Sequence, residues 1–343
     1  MDLFDPRTML DAIEQMVLPR TFLMRTFFNG GNPRTFGTKT VDIDVVKGKR
    51  KMAPFVHPSL PGSLVSREGF RQDTYTPPYI QPKIPTEAEL ILKRSPGENP
   101  YATKPPEQRA AEQLGKDLAE LDSQITRREE WMCAQALTTG RVRVLGEGVD
   151  DTIDFLMSPS HKITLSTDKW DSASSDPIGN LREWKRGRIA KDSGRTANVA
   201  VLSGEAVDAF QRNDLVMKQL NTRRAEMGII KPETLPDGVT YLGYLNDPGI
   251  DLYSYDEWFL DDEDTEQPMI PAGGLILGAT NTRNAMLYAA IQDLEAIESG
   301  MVEAARFAKS WVTKEPSVRW LKLQAAVLAG FLEPDAFVYA KVV

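Results

Sequence analysis

The spacing of apolar positions changes along the chain, and each change predicts a different kind of element. Between residues 107 and 137, Leu114, Leu118, Leu121, Ile125, Met132 and Ala136 recur at steps of three, four and seven, which puts them on one stripe of a helix. Pro105-Pro106-Glu107 suits the first turn of that helix, and Thr138-Thr-Gly140 suits its end. At 1.5 Å per residue the helix would run about 45 Å, long for a globular element and suited to a strut. Its other side, with Lys116, Asp117, Glu120, Arg127, Arg128, Glu129 and Glu130, is expected to face solvent. A dimeric coiled coil is the rival reading, but the heptad is imperfect.

Elsewhere the period falls to two. Thr40–Val45 alternates apolar and polar residues and Ala88–Leu92 is aliphatic, so both read as strands. Arg141–Leu145 and Thr152–Phe155 flank Gly146-Glu-Gly-Val-Asp150, a hairpin signature. Further strands are expected at Asn198–Leu202, Val239–Leu245, Ile250–Tyr255 and Gly274–Leu277. Helices are expected near residues 9–17, from Asp176 ahead of its first-turn proline, after a Ser203 cap, and over 214–227. Residues 196–299 thus read as an α/β lobe. The apolar stretches Val318–Leu332 and Phe337–Val343 should rejoin the body that holds the strut.

Proline adds a feature that periodicity misses. Of 23 prolines, 11 fall between Pro54 and Pro106, where runs such as Thr76-Pro-Pro-Tyr79 and Gln81-Pro-Lys-Ile-Pro85 exclude helix and central strand. The segment is therefore an edge ribbon or a long arm. It also carries Phe55, Val56, Leu60, Leu64, Val65, Phe70, Tyr75, Tyr79 and Ile80, more apolar surface than a free linker leaves in water. Its contacts are expected outside its own subunit.

Composition narrows the chemistry. The 343 residues are 41% hydrophobic and carry a net charge of −8, enough to bury a core and too acidic for tight nucleic-acid binding over the whole surface. One cysteine, Cys133, excludes an internal disulfide, and the two histidines, His57 and His161, fit no short zinc motif. No P-loop, G-x-G-x-x-G turn, G-x-S-x-G elbow or EF-hand loop occurs, so neither a catalytic residue nor a cofactor is expected. The start MDLFDPR lacks a signal-peptide pattern, and the longest apolar stretch, Leu323–Leu332, is about half a membrane span. An acidic run, Asp256 to Glu266, and basic groups around Lys47–Lys51 and Arg182–Lys191 could meet between copies of a repeating assembly.

Several pieces, in order and spacing, resemble the lambda-type head proteins among the major capsid proteins of tailed bacteriophages. They are Phe22-Leu-Met-Arg-Thr-Phe-Phe28, Thr76-Pro-Pro-Tyr-Ile-Gln-Pro-Lys83 with Leu92-Lys-Arg94, Leu220-Asn-Thr-Arg-Arg224, Ile291-Gln-Asp293, Lys309-Ser-Trp-Val312 and Glu333-Pro-Asp-Ala-Phe337. The resemblance implies an α+β Hong Kong 97 capsid fold. It maps residues 1–38 to an N-terminal arm and 39–95 to an extended loop. Residues 96–195 and 300–343 become a peripheral domain whose spine helix is the strut, and 196–299 an axial domain. It implies self-assembly into hexamers and pentamers of an icosahedral head shell around double-stranded DNA, bound without sequence preference. The implied partners are a scaffolding protein, a decoration protein and a portal protein, and no membrane is involved. Expected inter-subunit contacts are Phe27, Phe28, Phe55, Val56, Leu64, Phe70, Tyr75 and Tyr79, with charge contacts among Lys49, Arg50, Arg186, Asp262 and Asp264. Some relatives weld the loop to a neighbour through lysine and asparagine, but no partner asparagine aligns here and no covalent link is expected. The alternatives are an encapsulin-like nanocompartment shell around an enzyme cargo, and a soluble cytosolic enzyme.

Overall fold

The structure is a computed structural model that describes residues 6, 9, 21–29, 33–45, 52–53, 55–57, 61, 71–92, 105–172, 174–216, 230–234, 238–261 and 264–343. A long helix and two sheets organise it. The helix, Pro106–Thr139, closes on Gly140 at φ 69°, whose amide returns to the Ala136 carbonyl. Only a residue without a Cβ enters that conformation cheaply, which is why the helix stops there. At 34 residues it is about 50 Å long.

The outer sheet is built on one 13-residue strand, Val318–Gly330. Phe307–Thr313 and Ala285–Tyr288 pair with it antiparallel, and Arg34–Thr35 adds a parallel edge to Ala285–Tyr288. Tyr79–Ile80 and Lys83–Glu87 also pair with the long strand. Pro85 lies opposite Trp320 in the Lys83–Glu87 strand, which among the described residues pairs only with Val318–Gly330, an edge position where a strand tolerates proline.

The second sheet has seven strands, in the order Ile230–Thr234, Val239–Leu245, Ile250–Tyr255, Val199–Leu202, Gly274–Gly278, Phe337–Lys341 and Lys162–Thr164. Val199–Leu202 and Gly274–Gly278 are buried at every residue, as befits central strands covered on both faces. Alternation sends Val199, Val201 and Ile276 into one core, which also contains the helix stripe Leu114 to Leu137 and the long strand. Ala200, Leu202, Leu275 and Leu277 point into the other, with Trp170, Trp184 and Phe210. This sheet therefore separates two cores.

Four expectations change here. Ala88–Leu92 is a short helix, as its alanine, glutamate and leucines favour, and the strand falls on Lys83–Glu87 just before it. Phe337–Lys341 joins the seven-stranded sheet beside Gly274–Gly278, while Ala285–Tyr288 leaves the lobe for the outer sheet. Asp117, Glu129 and Glu130 are buried rather than solvated. Ser203 takes the N-cap backbone position, but the Asp256 carboxylate receives the Gly204 amide at 2.7 Å. The hairpin after the long helix forms as expected, Arg141–Gly146 against Val149–Asp154, turning at Gly148. Asp176 caps the next helix by accepting the Gly179 amide. The expected helices at 9–17 and 214–227 lie largely outside the described residues.

Candidate assembly surfaces

The proline-rich excursion leaves the body as a two-stranded ribbon, Val41–Val45 against Arg71–Tyr75, in a register that sets Val41 opposite Tyr75 and Val45 opposite Arg71. These strands pair with each other and, among the described residues, with no other strand. The base is fixed: Val41 is buried with Leu287, Ala289 and Ala326, and Tyr75 packs on Phe155 at 5.7 Å. The Tyr79 hydroxyl donates to Gln324 on the long strand. Gln324 in turn donates to Asp293 at 3.1 Å, and Lys309 reaches the same carboxylate at 2.8 Å. Burial alone would raise the Asp293 pKa, but the Lys309 and Gln324 hydrogen bonds outweigh it and hold the value at about 2. Farther out the picture reverses, for Met52 is 92% exposed and Phe55 fully so. A base this firmly held carries apolar groups with no cover of their own.

The N-terminal segment is held differently. Helix Phe22–Phe27 lies against the long helix, where Glu130 accepts the Leu23 and Met24 amides at 2.7 and 3.0 Å. The same carboxylate accepts the Tyr255 hydroxyl at 3.0 Å, tying arm, long helix and second sheet at one point. Burial and the Glu130 charge push the Tyr255 phenol far above the ordinary tyrosine range. At the preceding residue, Arg306 places two nitrogens on the Glu129 oxygens at 2.7 and 2.8 Å, and two turns earlier its Nε reaches Asp122 at 3.0 Å. Burial works against the Arg306 charge, yet Glu129 raises its pKa above the ordinary arginine value. This seam was missed because charged residues at helical spacing read as a solvated face. The available signal was spacing: Asp122 lies four residues after Leu118 and Glu129 four after Ile125, along the edge of the apolar stripe.

The expected contact residues divide. Phe27 and Phe28 are corrected: both are buried in the chain's own core, Phe27 against Phe337 at 5.2 Å and Phe28 against Phe331 at 6.1 Å. An arm helix clamped by Glu130 must present one face inward, and these rings form that face. Tyr75 and Tyr79 are half-buried at the ribbon base, on partners in their own chain. Phe55 and Val56 are exposed. Leu64, Phe70, Lys49, Arg50 and Asp262 lie outside the described residues, as do Lys47, Lys51 and Leu220–Arg224. Arg186 is exposed, 3.9 Å from Asp247, beside Arg182, which grips the same carboxylate at 2.9 Å. Asp264 is exposed in the turn between Trp258–Leu260 and Glu266–Pro268.

Among the described residues no group of three or more His, Cys, Asp or Glu is placed to hold a metal ion, and no helix is long and apolar enough to cross a membrane. Cys133 is buried, and burial with Glu130 and Glu129 nearby pushes its thiol well up, the opposite of a nucleophile.

Comparison with known proteins agrees along the whole chain. The profile of the family described as phage major capsid protein E matches residues 5–342. The major capsid protein of Escherichia phage lambda is 26% identical over 348 residues, 98% of each chain. That of Enterobacteria phage P21 is 26% identical over 350 residues, the full length of both. In three dimensions the chain is similar to the crystal structure of a capsid protein of an E. coli CFT073 prophage, with TM-score 0.74, 21% identity and 99% of both chains covered. A phage-related protein of Bordetella bronchiseptica shares the fold at TM-score 0.55 and 13% identity, over 98% of this chain and 96% of that one.

Proposed function

The chain belongs to the phage major capsid protein E family and has the Hong Kong 97-like fold, and from that premise we propose how it builds its shell. It is a structural component of the virion, in a family of shell proteins and not of enzymes. The observation that carries this is the family match from residue 5 to residue 342.

In the proposed assignment, residues 1–38 are the arm, 39–95 the extended loop, 96–195 with 300–343 the peripheral domain around the spine helix, and 196–299 the axial domain, with strand Ala285–Tyr288 lent to the peripheral sheet and Phe337–Lys341 to the axial one. Copies associate as hexamers and pentamers. Phe55 and Val56 on the loop contact a neighbour, which their exposure beyond a rigid base supports. Arg186 of one copy meets Asp264 of the next, which the exposure and opposite charge of the two side chains support. A scaffolding protein guides assembly, a portal protein takes one vertex, and a decoration protein covers the finished shell, with no covalent link between copies. Packaged double-stranded DNA is enclosed without sequence readout, consistent with the net charge of −8. Sedimentation of the expressed protein tests the reading. Particles or capsomers are expected, disrupted by high salt at the charge contacts, and a lone 38.3 kDa species would contradict it.

A further inference from the structure

The chain crosses between its two sheets at residues 279–284, from Gly274–Gly278 to Ala285–Tyr288, and returns at residues 331–336, from Val318–Gly330 to Phe337–Lys341. One carboxylate holds both crossings. Glu333, on the return, accepts the Arg283 Nε of the outgoing crossing at 2.7 Å, and its own amide donates to Asn284 Oδ1 at 3.0 Å. It also accepts Arg195 bidentately, Nε and Nη2 each at 3.0 Å, from the segment that enters the central strand Val199–Leu202. On that same segment Asn198 exchanges two bonds with Thr280, at 2.8 and 2.9 Å, where the outgoing crossing starts. Both crossings are thus pinned to one point on the seven-stranded sheet.

The Glu333 side chain is only 13% exposed. Burial alone would raise its pKa, but the Arg195 and Arg283 hydrogen bonds outweigh that and keep it below the ordinary glutamate value, so the carboxylate is charged at neutral pH. The two sheets also share an apolar core, to which Val201 and Ile276 come from one sheet and Leu323 and Val327 from the other. Apolar attraction has no direction, and packed layers shear past each other in small steps. A two-pronged arginine–carboxylate contact instead fixes a geometry. The Tyr255 and Tyr288 hydroxyls do not supply one between the sheets, since they bind the spine helix at Glu130 and Glu129.

We infer that Glu333 is a positioning residue: through Arg195 and Arg283 it sets the angle between the outer sheet and the seven-stranded sheet, and with it the curvature of the shell. This rests on the shell reading and deepens it by naming a residue that acts on the geometry of assembly. In the proposed assignment the outer sheet belongs mainly to the peripheral domain and the seven-stranded sheet to the axial one, so each makes its own contacts with neighbouring copies. A rotation between the sheets tilts one copy against the next, and repeated round every capsomer it changes the diameter at which the shell closes.

Spin labels read the angle directly. Val312→Cys on the outer sheet and Tyr244→Cys on the seven-stranded sheet, both at exposed positions, are labelled in one chain, and their distance distribution is measured by double electron–electron resonance. Particles are assembled with an excess of the same chain without labels, so that only pairs within a chain are read, and native Cys133 is buried and takes no label. Tyr244→Cys with Lys162→Cys, both within the seven-stranded sheet, is the control pair. Glu333→Gln is expected to broaden the 312–244 distribution, leave the control pair unchanged, and give shells of mixed diameter by electron microscopy. A distribution as narrow as that of the unsubstituted chain, or shells of uniform and unchanged diameter, overturns the inference, even where the melting temperature falls. Should Glu333→Gln fail to fold, Arg283→Gln removes only the half-exposed prong and is expected to broaden the same distribution by less, and no broadening there overturns the inference equally. A wild-type chain that forms no particle sinks the shell reading, while the distances in the unassembled chain still test the angle.

Discussion

Replacing Glu130 by alanine removes the acceptor on which three donors converge, the Leu23 and Met24 amides and the Tyr255 hydroxyl, at 2.7, 3.0 and 3.0 Å. An orphaned buried donor costs about 1–3 kcal/mol. Leu23 and Glu130 are fully buried, so the Leu23 amide should lose near the top of that range, whereas the Met24 bond is partly open to solvent and should lose less. Together the three give about 3–6 kcal/mol, concentrated on the contact between arm and spine helix. Hydrogen exchange read by mass spectrometry on residues 21–29 is the direct assay. With a factor of ten for each 1.4 kcal/mol, exchange at Leu23 and Met24 should accelerate by about 100-fold or more. Glu130→Gln keeps one acceptor oxygen but turns an NH₂ toward the donors, so its effect should fall between wild type and alanine. Unchanged protection of Leu23 and Met24 in Glu130→Ala would refute the clamp, and with it the claim that this carboxylate holds the arm.

Arg306→Met leaves Glu129 and Asp122 buried without their cation and should destabilise by about 3–5 kcal/mol in thermal unfolding, with partial recovery when Glu129→Gln is added. Because Asp293 is held at about 2, below its unfolded value near 3.9, its contribution is present above pH 4 and is lost as pH falls toward 2. The stability difference between wild type and Asp293→Asn, measured by denaturation at a series of pH values, should therefore shrink over that window and be flat above it. Gly140→Ala forces a side chain into φ 69° with its Cβ 2.4 Å from that of Met157, so it should cost more than about 1 kcal/mol in a melting experiment.

The elements most legible in the sequence were those whose apolar period is long and uninterrupted. The stripe from Leu114 to Ala136 placed the spine helix to within two residues at its C-terminal end, and the Gly146–Asp150 turn signal found the hairpin. Proline density located the excursion, because a fixed φ is a local constraint that tertiary structure rarely overrides. Sheet membership was not legible. Phe337–Lys341 is as apolar as Val318–Gly330, and nothing local says which sheet each enters. The buried seam stayed hidden for a related reason: Glu129 is inside only because Arg306, 177 residues away, arrives to pair with it. The exposed residues of the excursion followed from its composition.

A cryo-EM reconstruction of the assembled shell, fine enough to trace the backbone from residue 45 to residue 71, tests the central claim most directly. The density should cross to a sister subunit, with Phe55 covered by that neighbour. Density that turns back and buries Phe55 against its own chain would contradict the account.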